Sequence, residues 1–119
     1  MAEELTTVLG LGQFTGAKTA LRYITALFCA NDQMALGAYR ALREAGLRVP
    51  EDVSVVGFDD NDEAAMYAPP LSTVAQDWAV LGELALTTAL AMTRGAEPRD
   101  SKVPQRFVER ESTAAYRGH

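Results

Sequence analysis

The sequence predicts an α/β fold, a partial doubly wound parallel sheet, and three observations carry that prediction. Two apolar runs, Ile24-Thr25-Ala26-Leu27-Phe28-Cys29-Ala30 and Val53-Ser54-Val55-Val56-Gly57-Phe58, each end abruptly in polar pairs, Asn31-Asp32 and Asp59-Asp60. Nearly continuous apolar strands suit a parallel sheet covered on both faces. A segment of helical periodicity lies between them, and the order strand, helix, strand predicts a parallel, right-handed pair. In open sheets of this kind ligands occupy the crevice beyond the carboxyl ends of the strands. Two polar edges joined by one helix therefore make half of a small-molecule site.

The elements follow in order. Leu5-Thr6-Thr7-Val8-Leu9-Gly10-Leu11 is β-branched and apolar and reads as a first strand or its remnant. Gly12-Gln13-Phe14-Thr15-Gly16 is turn-like, and Thr15 can cap a short helix over residues 17–23. After the strand at 24–30, Asp32 is read as the cap of a helix over 33–45. Met34, Leu36, Ala38, Tyr39, Leu42 and Ala45 give that helix its apolar stripe, and Gly46 terminates it. Residues 47–52 lead into the strand at 53–58. Beyond Asp60, residues 61–67 can form a short helix that Pro69-Pro70 stops. Leu71-Ser72-Thr73-Val74 is a brief extended piece leading to Gln76. A long helix over 77–93 has Ala, Leu and Val at helical spacing, 95–102 is a polar loop, and 105–110 alternates as an edge strand. The tail to His119 is expected to fray.

Composition narrows the function. At 119 residues the chain has room for one domain, and its 48% hydrophobic content argues against disorder. A formal net charge of -5 leaves no basic excess to hold phosphates, so direct nucleic-acid binding by this chain is not expected. The acidic start, Met1-Ala2-Glu3-Glu4-Leu5, reads as neither a secretory signal nor a membrane span, and a cytoplasmic protein is expected. A lone cysteine, Cys29, excludes an internal disulfide and reads as a buried small hydrophobe. The run Asp59-Asp60-Asn61-Asp62-Glu63 suggests a calcium loop only superficially. It lacks the glycine at the sixth position, and Pro70 stands where the bidentate glutamate belongs. His119, at the terminus, is the sole histidine, and Gly10-Leu11-Gly12 lacks both the third glycine of a dinucleotide turn and a Walker lysine. No metal and no cofactor are expected.

Several segments in fixed order carry a resemblance. They are 30–37 (Ala-Asn-Asp-Gln-Met-Ala-Leu-Gly), 46–60 (from Gly46-Leu47-Arg48 to Gly57-Phe58-Asp59-Asp60), Pro69-Pro70-Leu71-Ser72-Thr73-Val74, and Val108-Glu109-Arg110-Glu111-Ser112-Thr113. Together they closely resemble the C-terminal part of the effector-binding domain of LacI/GalR-type transcription regulators, from about Thr6 to Ala114. The resemblance implies the C-terminal lobe of a periplasmic-binding-protein-like type I, Rossmann-like fold. It implies a small-molecule effector of the sugar or nucleoside class in a cleft between two lobes, and it implies no catalysis. Asn31 and Asp59 match positions that hydrogen-bond the effector, Phe14 matches an aromatic that stacks on its ring, and Gln76 matches a crossover residue that reaches the cleft.

The resemblance also shapes the domain reading: residues 1–119 form one partial domain, and the helix at 77–94 would belong to a missing N-terminal lobe. The helix-turn-helix, that lobe and the start of the C-terminal lobe are read as absent, and the segment from Phe14 to Ile24 is shorter than in the family. A homodimer, or association with a full-length regulator, is implied, and Leu36, Tyr39 and Leu42 suit either a dimer surface or the core. Each site residue also has a plainer reading. Asn31 and Asp59 can cap the segments that follow them, Asp32 and Asp60 are read as caps, and Phe14 suits core packing as well as a stacking platform. Two other functions fit the chain: a small α/β enzyme with Asp59 as nucleophile or base, and an association module that docks through an exposed helix bearing Trp78, Leu81 and Leu84.

Overall fold

The structure is a computed structural model that describes residues 23–118. The expected strand at 5–11, the helix at 17–23 and Phe14 lie outside the described residues, save Tyr23, which stands exposed in a turn. The chain then runs β1 (Ala26–Phe28), α1 (Asp32–Glu44), β2 (Ser54–Asp59), a short 3-10 turn (Ala64–Met66), β3 (Ser72–Ala75), α2 (Trp78–Thr93) and β4 (Arg106–Val108). The four strands lie in one sheet in the order β1-β2-β3-β4. The first three are parallel, with Phe28 opposite Val56 and Asp59 opposite Ala75. β4 runs antiparallel to β3, with Val74 opposite Phe107. The parallel pairing of the two apolar runs around one helix is the arrangement their sequence predicts.

α1 covers one face of this sheet. Ala35, Ala38, Ala41 and Leu42 are buried against Leu27, Val53, Val55 and Leu71, and these residues form the core. Three alanines on the inner face let the helix lie close to the strands. The helix ends where Gly46 turns to a φ of 77°, a conformation that costs glycine little. There the Leu47 amide donates to the Leu42 carbonyl at 2.9 Å and the Gly46 amide to Arg43 at 3.0 Å, the paired bonds of a Schellman close. The stripe read from the sequence divides in the fold: Leu42 is fully buried, Tyr39 is half-buried and Leu36 is exposed. Cys29 is buried as expected, and burial pushes its thiol up to about 11.

One expectation is borne out here and one, the frayed tail, is corrected. Leu71-Ser72-Thr73-Val74 forms the brief extended piece expected before Gln76: β3 is a four-residue inner strand with Ser72 and Thr73 fully buried. The Ser72 hydroxyl is satisfied by the segment after β4, accepting from the Arg110 amide at 2.9 Å and meeting Thr113 Oγ1 at 3.0 Å. That segment, expected to fray, is held over residues 110–114. The Ser72 amide donates to Ser112 Oγ at 2.7 Å, and Ser112 Oγ donates to the Val55 carbonyl at 2.5 Å. The Val55 amide returns a bond to the Ser112 carbonyl at 2.9 Å, and the Ala114 amide donates to Ser54 Oγ at 3.1 Å. Among the described residues no buried side-chain polar atom lacks a partner. No helix among them is long and apolar enough to cross a membrane.

α2 is different. It starts where the Asp77 carboxylate accepts from the Val80 amide at 3.0 Å, and none of its residues is buried. Trp78, Val80, Leu86, Leu90 and Met92 are 45–63% exposed. The helix therefore carries an uncovered apolar surface.

Candidate functional site

The strand register places three of the four candidate residues at one edge. Phe28 stands opposite Val56, so three residues further along each strand lead to Asn31 and Asp59. Asp59 in turn stands opposite Ala75, and Gln76 follows it. Asn31, Asp59 and Gln76 thus occupy the carboxyl ends of β1, β2 and β3, where open parallel sheets take their ligands.

Asp59 and Gln76 meet directly. Gln76 Nε2 donates to Asp59 Oδ1 at 2.9 Å. Asp59 has a φ of 107° and Asp60 a φ of 56°, two consecutive left-handed residues without glycine. Each such residue costs on the order of 1–3 kcal/mol and persists only where its surroundings over-determine it. Asp60 is held by a bond from Arg110 Nη2 to its Oδ1 at 2.7 Å, with both side chains mostly covered. Arg110 is itself anchored, its Nη1 donating to the Leu71 carbonyl at 2.8 Å and its amide to Ser72 Oγ at 2.9 Å. Asp60 was expected to cap the following turn, whereas the fold gives it a guanidinium from a segment 50 residues later. A charged donor offers a carboxylate a stronger bond than a backbone amide does.

The other expected cap is exchanged with its neighbour. Asn31, not Asp32, is the N-cap of α1: its backbone is extended, and its Oδ1 accepts from the Met34 amide at 2.8 Å. That bond assigns the oxygen of the carboxamide, and its Nδ2 meets no acceptor among the described residues. Asp32, one residue later, is fully buried. Its Oδ1 accepts from Thr73 Oγ1 at 2.6 Å and its Oδ2 from the Asn61 amide at 2.7 Å. The Tyr67 hydroxyl donates to the Asp32 carbonyl at 3.1 Å and packs edge-on to Tyr39, whose own hydroxyl donates to the Pro69 carbonyl at 2.9 Å. Burial raises both phenols, Tyr39 to about 12, so both remain donors near neutral pH.

Sequence reasoning missed Asp32, Thr73 and Arg110 as parts of this edge. One signal was present: Gly57 inside an otherwise apolar strand, where a glycine marks a close approach. A Cβ there would collide with Asp32 Oδ1 and lie 2.8 Å from Leu71 Cδ2.

A polar edge of carboxylate and carboxamide groups at the ends of parallel strands defines a class, the open α/β domains that can take a small polar ligand. The chain belongs to the periplasmic binding protein-like domain family, whose description matches residues 5–113. It is 45% identical over 92 residues to the lactose operon repressor of Escherichia coli, covering 76% of this chain and 26% of the repressor. It is 44% identical over 110 residues to the transcriptional regulator MalR of Streptomyces coelicolor, covering 90% of this chain and 32% of that protein. It therefore spans about a quarter to a third of the length of these relatives, which are transcriptional regulators rather than enzymes.

Solved structures agree. The lac repressor dimer bound to operator and an anti-inducer superposes with a TM-score of 0.75 at 37% identity, covering 94% of this chain and 37% of that one. A LacI family regulator from Enterococcus faecalis with bound ribose gives a TM-score of 0.72 at 32% identity, covering 93% and 39%. The fold and family implied by the sequence motifs are those found.

Proposed function

We propose that this chain contributes one wall of an effector-sensing cleft in a LacI-type regulator, and that the effector is a sugar or a molecule with a sugar-like polar edge. The observation that carries this reading is the joining of Asp59 and Gln76 at 2.9 Å, in register with Asn31, along the carboxyl ends of three parallel strands. Asp59 Oδ2 can accept from a hydroxyl while the Asn31 amide group donates to its neighbour, a match to vicinal hydroxyls. Gln76 steadies the carboxylate. Phe14 would supply the stacking surface such rings favour. The ribose bound to the Enterococcus faecalis relative supports the sugar class. In this reading the protein binds without catalysis, works in the cytoplasm, and responds to effector by a population shift between lobe arrangements. At a net charge of -5 the 119 residues do not themselves grip DNA.

The test is titration calorimetry of the protein against D-ribose, lactose and a purine nucleoside. Asn31→Asp keeps an acceptor for the Met34 amide while removing the amide donor. Asp59→Asn keeps an acceptor for Gln76 while removing the charge, and asparagine tolerates positive φ. Each variant is expected to weaken binding by about 1–3 kcal/mol with little change in melting temperature without ligand. Unaltered affinity in both would place the site elsewhere.

We also assign the apolar surface of α2 to the contact with a second lobe. Leu86 and Leu90, with Trp78, Val80 and Met92, are exposed apolar side chains on one helix of which no residue is buried, and exposed apolar surface of this kind marks an interaction site. The 119-residue chain is then expected to self-associate as its concentration rises. The double substitution Leu86→Lys and Leu90→Lys should reduce that association in light scattering while leaving the circular dichroism unchanged. Equal scattering mass in both forms would remove the assignment.

A further inference from the structure

Asp32 is costly to the fold in a way that packing alone does not explain. A fully buried carboxylate between helix and strand requires partners for its oxygens. An aliphatic side chain would fill the same space without that requirement. The carboxylate does what an aliphatic group cannot: it reaches the Asn61 amide at 2.7 Å and Thr73 Oγ1 at 2.6 Å. Asn61 immediately follows the two left-handed residues Asp59 and Asp60. Asn31, the opposite part of the polar edge, is bonded covalently to Asp32. Gly57 leaves the room in β2 that lets the carboxylate pass, since a Cβ there would collide with Asp32 Oδ1.

We infer that Asp32 is the positioning residue of the effector edge, its carboxylate holding the Asn61 amide so that Asp59 keeps its left-handed backbone and its bond to Gln76. The inference rests on the effector reading above, but its primary test needs no ligand. In the full chain, the coupling between amide and α protons at Asp59 is small at a φ of 107° and large in an extended strand, and the Gln76 side-chain amide protons report the bond to Asp59. Asp32→Ala should move the Asp59 coupling to the extended value and shift the Gln76 amide protons toward those of a free carboxamide. The methyl resonances of Leu42, Val53 and Val55 should stay dispersed. Asp32→Asn retains an oxygen for the Asn61 amide and offers its NH2 to Thr73 Oγ1, so it should restore both signals.

A folded Asp32→Ala chain with native coupling and native Gln76 shifts would overturn the inference, as would a folded Asp32→Asn chain that loses both. If the alanine variant does not fold, hydrogen exchange in the unaltered chain decides. The Asn61 amide should be protected like the interior amides of α1, and exchange at the rate of an open loop would overturn the proposal. Where D-ribose gives a binding heat, Asp32→Ala should weaken it on the order of tenfold and Asp32→Asn should recover it. A chain that takes no ribose leaves the couplings standing, so the two readings fail separately.

Discussion

Truncating Leu71 to alanine is expected to cost about 3–5 kcal/mol of folding free energy, the range for a large buried aliphatic whose cavity cannot collapse. Leu71 is fully buried: it lies in the core with Leu42, Val53 and Val55, and its Cδ2 approaches the bare backbone of Gly57. The backbone around it is tied down on both sides. Its amide donates to the Ala64 carbonyl at 2.9 Å, and its carbonyl accepts from Arg110 at 2.8 Å. The main chain therefore cannot slide inward to fill the space. Leu86→Ala is the matching control, because Leu86 is 63% exposed and its loss should fall within about 0.5 kcal/mol of zero. Urea unfolding measures both, with the slope m unchanged if the denatured state is unaffected. A cost below about 1 kcal/mol for Leu71→Ala would mean that this part of the core repacks.

The sheet was legible where side chains speak for themselves. Two apolar runs around a periodic helix gave the parallel pair β1–β2, and Gly46 at a φ of 77° ends α1 where a C′ glycine was expected. β3 was only partly legible, because Ser72 and Thr73 are polar and their partners, Ser112, Thr113 and Asp32, are about forty residues distant in sequence. The exchange between Asn31 and Asp32 has the same origin. Both can cap a helix, and what separates them is a slot formed by Gly57 and Thr73 that exists only after β2 and β3 have paired. The Asp60–Arg110 pair, likewise, is a long-range event with no local pattern. At the site, family motifs named Asn31, Asp59 and Gln76, and the register brings them to one edge. Phe14 lies outside the described residues.

Gly57→Ala should be nearly as damaging as the loss of Leu71, although it adds one methyl group and removes nothing. The new Cβ would collide with Asp32 Oδ1, lie 2.8 Å from Leu71 Cδ2 and lie 3.3 Å from Asp32 Cα. Overpacking of this kind costs about 1–3 kcal/mol. The carboxylate cannot retreat freely, because Thr73 and Asn61 hold its two oxygens. Displacing it would strip buried donors of their acceptor and add roughly 1–3 kcal/mol. The same substitution at Gly82 meets nothing within 4 Å and lies in α2, so it should stabilise the chain by up to about 1 kcal/mol through helix propensity. One chemical change with opposite signs at two sites isolates the contact as the cause. The double variant Gly57→Ala with Asp32→Ala extends the argument, since removing the carboxylate removes most of the collision. Its cost should fall short of the sum of the single costs by about 1 kcal/mol or more, the signature of residues in contact. Additive costs in thermal or urea unfolding would show that Gly57 is small for a reason other than Asp32.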